Sequence, residues 1–462
     1  MTGPVTDSLV DETSLGPYLA GRRWFGARSR ELTTVGVRDT AVVHEDPELL
    51  AILLADVSFD NGERQTYQLV VGTERAGADD APAELRSPGG RPVRDVENAP
   101  ELALALARAA VEGAVTPAAG GSVEFRTITS LELTPGTTAR RLGAEQSNTS
   151  IVLDQVLLKV YRHIEAGINP ELELLLFLTE RGFDHIAELV GFYGYAGDEL
   201  SATLGIFQRF LPDAVDGWEL ALREMPRQST DLVEHARTMG EVVGAMHVAL
   251  ASDATEPAFA PEDPGPEYLG LVAASAEEGL DTVFAKLPDD DPAADPIRGR
   301  ADEVRDRLRV LAQGTSPGRL IRTHGDLHLG QLLLADGRWH ILDFEGEPAR
   351  SLVERRRKQI PLRDVAGMLR SFSYASATLA ADGSELPAGY EAALRRQFLE
   401  GYRSIAETGG ILAPSAASQD RLLQFFELEK AVYELRYELD HRPAWLHIPA
   451  AGIASLLAQD LP

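Results

Sequence analysis

Hydrophobic patterning changes character once along the chain, near residue 216, and that change limits the folds open to it. Before this point, short runs rich in β-branched and aromatic residues alternate with isolated helical patterns. After it, apolar residues recur at helical spacing through long segments. A β-rich portion followed by a helix-rich one implies an α+β architecture, because strands and helices segregate instead of alternating. The chain has 462 residues, too many for one ordinary domain. No repeat of fixed period runs through it.

Three regions are expected, at residues 1–120, 121–211 and 212–462. In the first, LLAILLADVSF and RQTYQLVVG read as strands joined by a hairpin turn at NGE. ELALALARAAVEGAV reads as a helix, and residues 76–98, rich in Gly, Pro, Asp and Arg, as an exposed loop. In the second, VEFRTI, SIVLDQVLLKVYR and ATLGIFQRFL have strand composition, and NPELELLLFLTERG is a helix stopped by glycine. In the third, LVEHARTMGEVVGAMHVALAS, RGRADEVRDRLRVLAQG and QDRLLQFFELEKAVYELRYEL are amphipathic helices that line a core.

Charge and composition exclude several classes. With 44 basic and 72 acidic residues the net charge is −28. That argues against nucleic acid, whose phosphates need Lys and Arg, and against anionic membranes. Cysteine is absent, so no disulfide, thiolate nucleophile or thiolate metal site is possible. The N-terminus has neither the basic start nor the apolar stretch of a signal peptide. Residues 102–115, the most apolar early segment, are interrupted by Arg108 and Glu112 and are too short to span a bilayer. A cytoplasmic chain with no obligate protein partner is the expectation.

The stretch with most chemistry is THGDLHLGQLLLADGRWHILDFEGEP, residues 323–348. His324 and Asp326 flank a glycine. Gln331 follows Asp326 by five positions. GQLLL and WHILDF read as two strands around an ADGR turn, a hairpin that carries Gln331 and Asp343 toward one spot. Asp and Gln oxygens are hard ligands suited to Mg²⁺. A loop carboxylate such as Asp326 suits deprotonation of an attacking hydroxyl. A single Asp in a turn is ordinarily an Asx-turn or cap; the recurrence of carboxylate, amide and carboxylate across one hairpin favours chemistry. His324 fits a structural role bracing the loop. A zinc site built on His324, His328 and His340 is the competing arrangement.

These motifs, with PLRDVAGMLRSFSYA after them, resemble the maltokinase and glucosamine kinase group. That group belongs to the wider aminoglycoside-phosphotransferase-like, protein-kinase-like superfamily. The resemblance runs from RRWFGARSR near residue 22 to HRPAWLHIP near residue 449. It implies a bilobal fold with an N-terminal α/β cap, a small β-rich nucleotide lobe and a larger, mostly helical lobe. It implies ATP as co-substrate and Mg²⁺ as cofactor, with Asp326 as catalytic base and Gln331 and Asp343 holding the metal. The superfamily usually has Asn where this chain has Gln331; maltokinases are similar in having Gln.

By the same resemblance Lys159, in VLLKVYRH, grips the nucleotide phosphates and Glu173, in NPELEL, orients it by an ion pair. The usual Gly-rich loop is missing; AEQSNTS stands in its place, with Gln146, Ser147 and Asn148 as hydrogen-bond donors. Gln208 and Phe210 lie on the lobe-linking segment, where the backbone meets adenine. Trp24, Phe25 and Arg28 are expected to pack the cap. Sugar contacts are expected from Asp326, His328 and Arg363 and from the segment bearing Glu427, Lys430, Glu434, Glu438, Asp440 and Trp445. Asp440 occupies a place where maltokinases often carry a basic residue, and an added carboxylate suits the ammonium of glucosamine. The implied reaction is glucosamine to glucosamine 6-phosphate. Maltose to maltose 1-phosphate, an aminoglycoside acceptor and a kinase-fold regulatory binder remain as alternatives.

Overall fold

A computed structural model describes residues 9–27, 30–44, 49–73, 85–143, 147–348, 350–384 and 386–461. The chain divides into two compact units, residues 1–176 with 187–212, and residues 177–186 with 213–462. The expected cap and nucleotide regions therefore share one unit, and the helical region forms the other.

The first unit holds two antiparallel sheets. One runs in the order Leu32–His44, Leu49–Phe59, Arg64–Thr73, Pro92–Asp95, Leu85–Arg86, with His163–Ile164 also paired to Arg64–Thr73. Its NGE turn carries Gly62 at φ +82, a conformation glycine adopts without a Cβ clash. Trp24 and Phe25 are buried in the core beneath this sheet, as the cap expectation requires; Arg28 lies outside the described residues. The segment expected as an exposed loop is corrected in its latter part. Residues 85–86 and 92–95 pair as strands, and Asp95, Val96 and Glu97 are buried. Asp95 is there because the fully buried Arg162 needs a counter-charge: its Nη1 donates to Asp95 Oδ2 at 2.9 Å. Glu97 accepts from Trp24 Nε1 at 2.8 Å and pairs with Arg141 at 2.8 Å.

The second sheet has seven strands in the order Val115–Pro117, Gly121–Thr127, Leu189–Gly197, Ser201–Arg209, Val156–Tyr161, Asn148–Leu153, Ala139–Leu142. SIVLDQVLLKVYR is not one strand but two. Asp154 turns the chain at φ +51, and the halves pair with each other.

In the other unit, five long helices, Thr230–Leu250, Leu362–Ala381, Tyr390–Ala406, Ala416–His441 and His447–Ala458, supply most of the core. The first and third approach closely at glycines. A Cβ on Gly240 would meet the Phe398 carbonyl at 2.0 Å, and one on Gly401 the Arg237 carbonyl at 2.0 Å. A small sheet, Val215–Asp216, Leu332–Ala335 and Arg338–Ile341, carries the predicted hairpin. Its turn has Asp336 at φ +48 and Gly337 at φ +73, the double positive-φ pattern of a tight two-residue hairpin. Among the described residues no helix is long and apolar enough to cross a membrane.

Candidate active site

In the sheet unit, Lys159 lies on the strand Val156–Tyr161 and is 5% exposed. Its Nζ is 2.9 Å from Glu171 Oε2, which also accepts the Tyr161 hydroxyl at 2.7 Å. Here the sequence reading, which named Glu173, is corrected. Asn169 accepts the Glu171 N–H at 2.8 Å and caps the helix that starts at Pro170. Residues two apart on a helix point to different faces, and only the phase set by this cap brings Glu171 under the strand. Glu171 is buried, whereas Glu173 is half-buried.

Ser147 is exposed and Asn148 is buried at the start of its strand; Gln146 lies outside the described residues. Gln208 is buried, paired between Leu157 and Leu189. Phe210 donates its N–H to the Gln155 carbonyl at 2.8 Å, and the Arg140 guanidinium lies 5.3 Å from its ring centre.

In the helical unit, the loop around Asp326 is fixed from below by one residue the sequence reading passed over. Asp364, in the first turn of Leu362–Ala381, is 2% exposed. It accepts the N–H of His324 at 2.8 Å and of Gly325 at 3.0 Å, and lies 3.0 Å from His247 Nε2. His247 Nδ1 is in turn 3.0 Å from the Tyr402 hydroxyl. Burial pushes the Asp364 carboxyl up, but the His247 hydrogen bond, the neighbouring histidines and the Gly325 N–H together outweigh it, and the group sits below its ordinary range. Gly367 lets this helix press on the loop, since a Cβ there would meet the Leu327 carbonyl at 2.4 Å.

His324 braces the loop from its other side. Its Nε2 is 2.7 Å from the Leu342 carbonyl and its Nδ1 accepts the Asp326 N–H at 3.3 Å. His328, expected to touch sugar, has one ring nitrogen engaged within its own turn. Its Nδ1 accepts the Gly330 N–H at 3.1 Å, capping the turn Leu329–Gln331, and burial pushes its imidazole toward the neutral form. Both ring nitrogens of His324 are thus committed to backbone, which takes this histidine out of the zinc arrangement.

Gln331 and Asp343 do meet. Gln331 Nε2 donates to Asp343 Oδ2 at 3.2 Å. Asp343 lies just past the strand Arg338–Ile341 at φ +57, a left-handed turn that swings its carboxylate back beside Gln331. An amide and a carboxylate in contact offer hard oxygen donors, so the pair fits Mg²⁺ once the amide turns its oxygen inward.

Asp326 itself is held by Lys430. Lys430 Nζ lies 3.0 Å from Asp326 Oδ1 and 3.1 Å from Glu347 Oε1. Glu347, in FEGEP, is a second residue missed from sequence. Burial pushes its carboxyl up, but Lys430, Arg363 and Arg350 bring it down to about 2. Burial likewise opposes charge on Lys430, and Asp326 and Glu347 more than reverse it, so the ammonium is held above its ordinary value. Arg363 pairs with Glu429 at 2.7 Å. Asp326, Glu347, Arg363, Glu429, Lys430 and Phe426 share one small pocket.

The other expected sugar residues do not gather there. Glu427 is buried and paired with Arg395 at 2.8 Å, and Glu434 with Arg370 at 2.7 Å. Glu438, 1% exposed, accepts from Tyr374 at 3.1 Å and pairs with Arg442 at 2.7 Å. The Arg442 guanidinium stands 4.9 Å from the ring of the half-buried Trp445. Asp440, expected to select an ammonium, is an exposed ion pair with Lys286 at 2.9 Å. At a rise of 1.5 Å per residue it lies about 15 Å along its helix from Lys430.

A family model described as the phosphotransferase enzyme family matches residues 138–407, well over half of the chain. The chain belongs to this family. A second model, the maltokinase N-terminal cap domain, matches residues 18–90 of the phosphotransferase. Together they make it a member of the maltokinase and glucosamine kinase group, a class of ATP-dependent sugar phosphotransferases. It is similar to a glucosamine kinase of Streptacidiphilus jiangxiensis, 28% identical over 343 residues that cover 71% of this chain and 75% of the relative. It is equally similar to one of Mycolicibacterium smegmatis, 28% identical over 333 residues covering 69% and 79%. A solved glucosamine kinase, 21% identical, superposes with a TM-score of 0.71 over 96% of this phosphotransferase and 97% of that chain. Another, solved with glucosamine, ADP and inorganic phosphate, is 22% identical with a TM-score of 0.68 over 92% and 94%. These likenesses show the protein-kinase-like fold.

Proposed function

We propose that this phosphotransferase moves the γ-phosphoryl group of ATP to the 6-hydroxyl of glucosamine. Asp326 takes the hydroxyl proton, the sugar oxygen bonds to phosphorus, and the bond to the β-phosphate oxygen breaks to release ADP. Gln331 and Asp343 are the residues that would hold Mg²⁺, which neutralises charge on the phosphates when bound. Lys159 binds phosphate and Glu171 orients it. Ser147, Asn148 and the backbone near Gln208 and Phe210 contact the nucleotide. The reading places the enzyme with ATP in the cytoplasm.

The observation that carries this reading is the pocket at Asp326. Its carboxylate projects from a loop pinned by Asp364, so it need not reorganise to accept a proton. Asp326 and Glu347 hold the Lys430 ammonium at 3.0 and 3.1 Å, so the carboxylates of this pocket accept ammonium donors. The names of the two 28%-identical relatives agree with this. The cap domain favours one second reading, maltose phosphorylated at its anomeric hydroxyl.

The position of the new phosphoester separates them. NMR of the product is expected to show phosphorus coupled to the C6 protons of glucosamine. Coupling to an anomeric proton of maltose, with no reaction on glucosamine, would replace this reading by the second. The lysine partner is tested separately. Glu171→Gln is expected to lower kcat/KM for ATP by about 10- to 150-fold, the value of a charge-assisted bond, with Glu173→Gln much milder. Equal losses would return the role to either glutamate.

A further inference from the structure

Glu427 and Glu434 end in ion pairs away from Asp326, and those pairs border a space of their own. A cavity of about 470 Å³ opens between the helices Leu362–Ala381, Tyr390–Ala406, Ala416–His441 and His447–Ala458. Arg370, Ser373, Glu391, Arg395, Glu427 and Ser455 make its polar wall. No residue that lines it also lines the pocket at Asp326. At 1.5 Å per residue, Ala377 in its wall stands about 20 Å farther along its helix than Asp364, which anchors the catalytic loop.

The charges of this wall are balanced. Arg395 Nη2 donates to both oxygens of Glu427, at 2.8 and 2.9 Å, and Arg370 pairs with Glu434 at 2.7 Å. Glu391 stands in the first turn of its helix, where the helix dipole favours a carboxylate. It accepts the Ser373 hydroxyl at 2.6 Å, and Ser373 Oγ accepts from Arg395 Nη1 at 3.3 Å. A ligand here needs no net charge.

What remains unused is hydrogen-bonding capacity. Arg370 is 3% exposed, and its Nε and Nη2 go to Glu434. Its Nη1 has no hydrogen-bond partner among the described residues. That nitrogen lies at the cavity wall beside Gly452, where a Cβ would meet it at 2.5 Å. The glycine therefore leaves one edge of a buried guanidinium open, and a buried donor left unpaired is costly. Arg395 Nε, Glu391 Oε2 and the Ser455 hydroxyl are also without hydrogen-bond partners among the described residues. Free donors and free acceptors side by side match hydroxyl groups, each of which both donates and accepts. The volume suits a small ligand of one or two sugar rings.

We infer that this cavity binds a neutral polyhydroxylated molecule, a sugar or polyol, at a site separate from the pocket at Asp326. The inference does not depend on which sugar is phosphorylated.

The test is saturation-transfer NMR on the full chain with AMP-PNP saturating. Sucrose, sorbitol and myo-inositol serve as probes, because none carries an amine or a free anomeric hydroxyl. At least one is expected to show saturable transfer from the intact protein. Ser455→Trp, at an exposed position that lines the cavity, fills the space and is expected to weaken binding at least about 10-fold. Its phosphotransfer to the acceptor sugar should be unchanged. Glu391→Ala removes one acceptor and is expected to weaken binding about 2- to 10-fold, the value of a hydrogen bond. No saturable transfer from any probe, or equal affinity in the intact protein and both variants, overturns the site. Loss of binding and of phosphotransfer together in Ser455→Trp, with an unchanged thermal midpoint, overturns its separateness from the acceptor pocket.

Discussion

Replacing Asp326 by Asn is expected to lower kcat by about 10²- to 10⁴-fold, the span of a positioned general base. Nucleotide binding should be unchanged, because the change is isosteric and Lys430 keeps its contact with Glu347. Asn cannot take a proton from the acceptor hydroxyl, so the loss belongs in kcat and not in KM for ATP. Pre-steady-state and steady-state ADP release on both proteins measure it. A variant that turns over normally removes Asp326 from the role of base.

The second large effect is on stability. Asp364→Ala strips the acceptor from the buried His324 N–H and His247 and from the half-buried Gly325 N–H. Breaking a buried charged network in this way costs about 3–5 kcal/mol, which is a large share of the stability of a typical domain. Denaturant unfolding of the purified variant should show a clearly lowered midpoint with little change in slope. Activity should fall with it at temperatures where the fold survives, because His324 and Gly325 carry the loop into Asp326. An unchanged midpoint would mean that the loop finds its backbone partners elsewhere.

The parts of the site that could be read from sequence are those whose geometry is local. Asp326, Gln331 and Asp343 lie on one loop and one hairpin, and the turn residues Asp336 and Gly337 announce how that hairpin closes. The parts that could not be read depend on contacts between distant segments. Lys430 reaches Glu347 across 83 positions and His247 reaches Asp364 across 117. No spacing rule connects such pairs. The buried Arg162–Asp95 pair, 67 positions apart, hid inside a stretch whose Gly, Pro and Arg content reads as loop.

The long helix Ala416–His441 shows a different limit. Helical periodicity groups Glu427, Glu434 and Glu438 on neighbouring faces, but it cannot say what already occupies the space beside them. Arg395, Arg370, Tyr374 and Arg442 do. Carboxylates that look poised for a ligand are instead structural ion pairs in the helical core. Glu171 makes the same point on a smaller scale, where a helix phase fixed by Asn169 shifts the ion-pair partner by two residues.

The most direct test of the account is ADP release from ATP and Mg²⁺ by the intact chain, run in parallel on glucosamine, glucose, N-acetylglucosamine and maltose. The account predicts fast release on glucosamine, slower release on glucose, which lacks the ammonium, and little on the other two. Release on maltose alone, with glucosamine inert, would contradict it.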